Sequence, residues 1–135
     1  MVTAFDVEPN KLIEKAAQKL KGKVPKPEFV GLVKTGAHAV RPPASEDFWF
    51  IRCASILRQA YVNGKVGTHS LRRHYGGRKR FGVKPEHHVD AGGSTIRKAM
   101  QGLEKAGLMI KMKEGGRMLS PEGRKFLDAA AKECI

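Results

Sequence analysis

At 135 residues, 41% of them hydrophobic, the chain is long enough to bury one core, and a single domain is expected. Lys and Arg outnumber Asp and Glu by 26 to 13, giving a net charge of +13 and a pI near 10.1, so the expected partner is a polyanion, either nucleic acid or an anionic membrane, and not a small acidic substrate. No apolar run is long enough to span a bilayer, no apolar stretch follows Met1 and no prenylation box closes the sequence, which points to a soluble intracellular protein.

The first predicted element is an amphipathic helix over 7–21. Leu12, Ile13, Ala16, Ala17 and Leu20 recur at helical spacing, Asp6 is placed to cap the start, and Gly22 to stop the end. Residues 23–44 hold Pro25, Pro27, Pro42 and Pro43 and should be irregular, with at most a short helix over 28–34. A second helix is predicted over 45–62, capped by Ser45. Trp49, Phe50, Cys53, Ala54, Ile56, Leu57, Ala60 and Tyr61 form so wide an apolar arc that this should be the central helix, with Arg52 and Arg58 on its polar side and Asn63-Gly64 ending it. Cys53 falls on the apolar arc and should act as a small hydrophobe; Cys134 lies far from it in sequence, and no disulfide or zinc site is expected.

A short helix over 68–74, with Thr68 as cap and Leu71 inward, leads into a glycine-rich basic segment, 76–93, read as a long loop between helices. Ser94 is placed to cap the next helix, which should run to Ala106 and bury Ile96, Ala99, Met100 and Leu103, leaving Arg97, Lys98 and Gln101 outside. Leu108, Ile110 and Met112 then alternate with Met109, Lys111 and Lys113, and Gly115-Gly116 should turn the chain into Arg117-Met118-Leu119, a β-hairpin. Ser120-Pro121-Glu122 opens a last helix with Phe126, Leu127 and Ala130 inward.

Helix, turn, helix, exposed basic helix and hairpin form the order of a winged helix-turn-helix. The fold class expected is therefore mainly α, a winged-helix-like bundle around a central helix with one small β-hairpin as the wing. A DNA-reading domain of this class holds its two groove-spanning helices with a turn of about three or four residues. The long basic insertion would obstruct docking in a regular duplex, whereas it can lie along a folded RNA whose phosphates converge from several strands. Residues 64–98 carry nine Lys or Arg against Glu86 and Asp90, more than half of the charge excess of the chain.

Within that segment Gly76 and Gly77 are read as positions where backbone approaches phosphate with φ > 0, and Arg72, Arg73, Arg78, Lys79, Arg80 and Lys84 as phosphate contacts. Tyr75 and Phe81 are candidates for stacking on unpaired bases, and Gly92-Gly93-Ser94 would aim the free amides of a helix N-terminus at an anion. Arg97 and Lys98 continue the surface on the following helix. His69, His74, His87, His88 and Asp90 lack metal-ligand spacing, and no nucleophile or nucleotide-binding fingerprint occurs, so no metal, no cofactor and no catalytic residue are expected.

The blocks FDVEPNKLIEKAAQKLK, DFWFIRCASILRQAY, YGGRKRFGVKPEH, STIRKAMQGLEKAGL and GGRMLSPEGRKFLD resemble the archaeal and eukaryotic small-subunit ribosomal protein nineteen family over nearly the whole chain, in its archaeal form more than its eukaryotic one. The resemblance implies a non-enzymatic, cytoplasmic constituent of the small ribosomal subunit. Its partners would be small-subunit ribosomal RNA and the neighbouring proteins of the subunit head, with no membrane contact, a monomeric state outside the ribosome and a role in subunit assembly or maturation. It maps the RNA-binding surface to Arg52, Arg58, Arg78, Arg80, Arg97 and Arg117. Arg52 has an alternative, burial in an internal network, because its helix is expected to be surrounded by others. A winged-helix DNA-binding transcription regulator is the alternative function.

Overall fold

The computed structural model describes residues 2–29, 34–39, 41–43 and 47–134. Among these residues five α-helices and five short strands follow one another: α1 (Pro9–Leu20), α2 (Phe48–Asn63), β1 (Lys65–Val66), α3 (Thr68–Tyr75), β2 (Gly77–Phe81), β3 (Lys84–Val89), α4 (Gly93–Lys105), β4 (Met109–Lys111), β5 (Arg117–Leu119) and α5 (Pro121–Cys134). A 3-10 turn, Ala4–Asp6, precedes them. The fold is mainly α and winged-helix-like: β1 lies between α2 and α3, and it pairs antiparallel with β5, which pairs antiparallel with β4. Among the described residues no helix is long and apolar enough to cross a membrane.

The central helix is α2, in contact with α1, α4, α5 and the three-stranded sheet. Its predicted arc is buried in full, Trp49, Cys53, Ile56 and Leu57 being among the largest enclosed side chains. Leu12 and Leu20 of α1, Ile96, Met100 and Leu103 of α4 and Leu127 of α5 close around it, as their helical spacing requires. Burial pushes the Cys53 thiol up to about 12, so it packs as a neutral hydrophobe. Gly64 ends α2 at φ +82°, its N–H donating to the Ala60 carbonyl at 2.9 Å, which is the left-handed termination that Asn63-Gly64 predicts.

The caps differ from the expected ones. Asp6 does not cap α1; its carboxylate accepts from the Thr3 N–H at 2.9 Å and closes the preceding 3-10 turn, while Pro9 opens the helix. Ser45 and Glu46 lie outside the described residues, as does most of the 28–34 helix, and Asp47 precedes α2. Gly67, not Thr68, is the residue before α3, with the Ser70 hydroxyl bonded to both its N–H and its carbonyl. Ser94 lies one residue inside α4, which starts after Gly92. Ser120 behaves as expected: its hydroxyl donates to the Gly107 carbonyl at 2.7 Å and accepts from the Gly123 N–H at 3.0 Å.

Two corrections concern the strands. The alternation placed Leu108 and Ile110 together, whereas Leu108 and Met109 are buried and Ile110 is 47% exposed, because β4 begins only at Met109 and its inner face is set by the pairing of Met109 with Leu119. The second is larger. The segment 76–93, read as a loop, contains an antiparallel hairpin: β2 and β3 pair Gly77 with Val89, Arg78 with His88 and Lys79 with His87. The fold therefore has two hairpins, a wing (β4–β5) and an arm (β2–β3). Glycine and charge content conceals the arm, because its side chains need no buried face to match.

Candidate nucleic-acid interface

The arm leaves the domain through a neck made by three segments. The Ala91 N–H donates to the Arg72 carbonyl at 2.9 Å, and the Arg72 Nε–H returns a bond to the Ala91 carbonyl at 3.0 Å. The Gly92 N–H donates to the Thr35 carbonyl at 2.6 Å, beside a bridge between Gly36 and Ala91. A Cβ on Gly76 would strike the Val89 carbonyl and come within 3.0 Å of the Asp90 Cα; one on Gly77 would come within 2.9 Å of the His38 ring. Neither glycine has positive φ. The pair that suggested phosphate approach is required for close passage of the neck strands, and the left-handed glycine of the arm is Gly82 at its tip, φ +74°. Gly92, likewise, commits its amide to Thr35 and not to an incoming anion.

Beyond the neck, the period of two in β-structure sorts the side chains. Arg78 and Arg80 are exposed on one face; Lys79 and Phe81 share the other, half-buried. The Phe81 ring stacks on His87, centroids 4.1 Å apart and 21° from parallel, and the Lys79 ammonium stands 5.8 Å from its centre. One face of Phe81 is thus already covered. Arg80 Nε lies 3.2 Å from Glu86 Oε1, a pair with Arg80 88% exposed and worth little in water. Arg78 has no carboxylate partner among the described residues. Lys84 is exposed, as is Val83 beside it at the tip. His87 and His88 point to separate surroundings, the latter 3.5 Å from Asp90, and among the described residues no three His, Cys, Asp or Glu gather as a metal site.

The remaining candidates divide into presented and internal groups. Arg73, Ser94, Arg97 and Lys98 are exposed. Arg52 is half-buried, its guanidinium 4.0 Å from the centre of the Tyr75 ring and 5.1 Å from that of Phe48, and loss of water lowers its pKa. Tyr75 has one ring face against Arg52 and its hydroxyl on the Ser55 hydroxyl at 2.6 Å, so it ties α3 to α2. Arg117 is turned inward, 13% exposed, with Nε 3.4 Å from Glu104 Oε2 and a nitrogen 3.9 Å from the Met100 sulfur. Arg58 is half-buried, its Nε enclosed without a hydrogen-bond partner among the described residues. Arg78, Arg80 and Lys84 are exposed on the arm and Arg73 on α3 before it, while Arg52, Tyr75 and Arg117 are engaged with other side chains of the domain. The neck residues Thr35 and His38 were missed, since the 34–39 segment has no periodicity to mark it.

Residues 3–135 match the sequence profile of the family described as Ribosomal protein S19e. The Aeropyrum pernix protein named small ribosomal subunit protein eS19 is 45% identical, with 100% of this chain and 91% of that protein aligned. Small ribosomal subunit protein eS19A of Schizosaccharomyces pombe is 39% identical over 96% of this chain and 92% of its own length, and the eS19 of Haloarcula marismortui 37% identical over 100% and 92%. Matched over almost its entire length, the chain belongs to the ribosomal protein S19e family, a family of structural proteins and not of enzymes.

Proposed function

We propose that the protein is a structural constituent of the small ribosomal subunit in the cytoplasm, held on ribosomal RNA of the subunit head, in contact with neighbouring head proteins, and supporting assembly or maturation of the subunit. The observation that carries the RNA reading is the arm: a two-stranded ribbon with Arg78 and Arg80 on one exposed face and Lys84 near its tip, packed chiefly on itself and joined to the domain at its neck. Self-repulsion among these cations is relieved when phosphates release their counterions to solvent, so the arm is a clamp for RNA backbone. Arg73, Arg97 and Lys98 extend the same charge along α3 and α4. Arg52, locked against Tyr75, sets the angle between α2 and α3 and thereby the direction in which the arm leaves.

The relatives lend the DNA-regulator reading no support, and the arm itself argues against it. A ribbon inserted between α3 and α4 occupies the place where the short turn of a groove-reading domain allows two helices to dock together. The test is cosedimentation with 30S particles through a high-salt wash. Wild-type protein should remain bound and the Arg78→Ala/Lys79→Ala/Arg80→Ala variant should be released; loss of the wild type into the supernatant would refute the structural role. In the absence of particles the protein should sediment as a monomer, where a regulator would dimerise to match two half-sites.

A further inference from the structure

The described residues contain a second cationic feature outside the arm, which shares Lys98 with the RNA-facing charge of α4. A cleft of about 390 Å3 lies between the 23–27 segment and the C-terminal half of α4. Val24 and Pro25 make an apolar wall, Trp49 contributes to the lining, and Lys23, Lys98 and Lys105 stand at the edge. Lys98 and Lys105 are two helical turns apart on α4, so they flank the opening along one edge. Among the described residues none of the three lysines has a carboxylate partner. Lys23 and Lys98 instead lie over the rings of Phe126 and Phe29, 4.9 and 4.6 Å from their centres.

Trp49 is 1% exposed, yet its indole N–H has no acceptor among the described residues. A buried indole donor ordinarily finds a partner, and this orphan belongs to a residue of the cleft lining. The chemistry of the lining decides between ligand classes. Among the described residues no arginine lines the cleft and no aromatic face is open to it, since Trp49 is enclosed and the Phe29 ring lies under Lys98. An unstacked base would find no platform there, and RNA phosphates would leave the Val24–Pro25 wall wet. A peptide offers all three features at once: an aliphatic side chain for the wall, a main-chain carbonyl for the indole and carboxylates for the lysines.

We propose that this cleft docks an acidic protein segment carrying an aliphatic anchor, with a main-chain carbonyl accepting from the Trp49 N–H and acidic side chains seated against Lys23, Lys98 and Lys105. The volume suits one leucine-sized side chain with its adjoining backbone, a small site that serves as one anchor of a larger contact. The docking does not depend on the RNA role of the arm.

Trp49 is the chain's single tryptophan, so its fluorescence reports the cleft directly. The probe is a capped nonapeptide of Asp and Glu flanking one central leucine, titrated into the full chain. A saturable change in emission is expected. It should weaken at least tenfold in a Lys98→Glu/Lys105→Glu variant whose circular dichroism and thermal midpoint match wild type, and at least tenfold when serine replaces the leucine of the probe. The arm variant with Arg78, Lys79 and Arg80 changed to alanine should bind the probe as wild type does. Equal binding of the serine probe, or loss of binding in the arm variant, would show unspecific charge attraction and overturn the proposal. So would an absent emission change, or an oligouridine that produces the change and displaces the peptide, which would assign the cleft to RNA.

Discussion

The wing and the arm are both antiparallel hairpins, and they do opposite things. The wing is anchored on both sides. β5 pairs with β1 as well as β4, Met109 and Leu119 are buried, and even its cation, Arg117, is turned inward toward Glu104. Among the described residues the arm's strands pair only with each other and bury no side chain, and Arg78, Arg80 and Lys84 are exposed. Secondary structure alone therefore says nothing about role. What separates the two is where the hydrophobic free energy falls, since a lone two-stranded ribbon is only marginally stable and must be held from its base. Here the base is the neck, where Gly76, Gly77, Arg72 and Gly92 are fitted against Val89, His38, Ala91 and Thr35.

Amide exchange on the RNA-free protein should separate the hairpins most widely. Arm amides open locally while those of β5 exchange only through near-global unfolding, so a difference of at least about a thousandfold in protection is expected. Equal protection in Lys79, Phe81 and Leu119 would show that the arm belongs to the core. Truncation comes next. Leu119→Ala should cost about 2 to 5 kcal/mol in denaturant unfolding, whereas Arg78→Ala/Lys79→Ala/Arg80→Ala should stay within about 0.5 kcal/mol of wild type. Unfolding of the triple variant would mean that the arm's charges serve the fold.

The same triple variant should lose affinity for folded small-subunit RNA, and its log–log salt slope should fall by about three, one for each phosphate that the missing cations no longer neutralise. An unchanged slope would place the phosphate-binding groups elsewhere. Tyr75→Phe is a gentler probe of the support beneath the arm. Losing the bond to Ser55 should destabilise by about 1 kcal/mol while leaving Arg52 its aromatic face. RNA affinity should follow only weakly. The last probe concerns the core, where no effect is expected near neutral pH. Cys53 holds its proton up to about 12 in the fold, so its contribution is fully present below the ordinary thiol value near 9 and is lost as pH rises from there toward 12. Near neutral pH, thiol reagents should modify the partly exposed Cys134 well before Cys53.

Much of the bundle was legible because its determinants are local and periodic. The apolar arcs of α1, α2, α4 and α5 repeat at 3.6 residues and are buried where that spacing places them, except that Ile13 of α1 is half-buried. Gly64 and Gly107 end their helices in the left-handed region, and Ser120 caps the last one. The arm was hidden for the converse reason. A strand with no buried face has no hydrophobic alternation to read, and its glycines look like loop residues until a neighbouring strand explains them.

Among the candidate site residues, charge by itself marked a stretch of chain without sorting its members. Arg78 and Arg117 are equivalent as letters; one faces water and the other faces Glu104. Tyr75 was equally ambiguous between stacking on a base and packing on a guanidinium, and the choice depends on Arg52, which reaches it from another helix. The sequence by itself determined the charge, the helices and the central position of α2, since each follows from composition or from a period within one segment. Only the tertiary structure decided which cations are free, that 76–93 is a ribbon and not a loop, and how its neck is held. Each of those depends on what lies across a gap of many residues, such as Thr35 beside Gly92 or His38 against Gly77, and no local pattern carries that information.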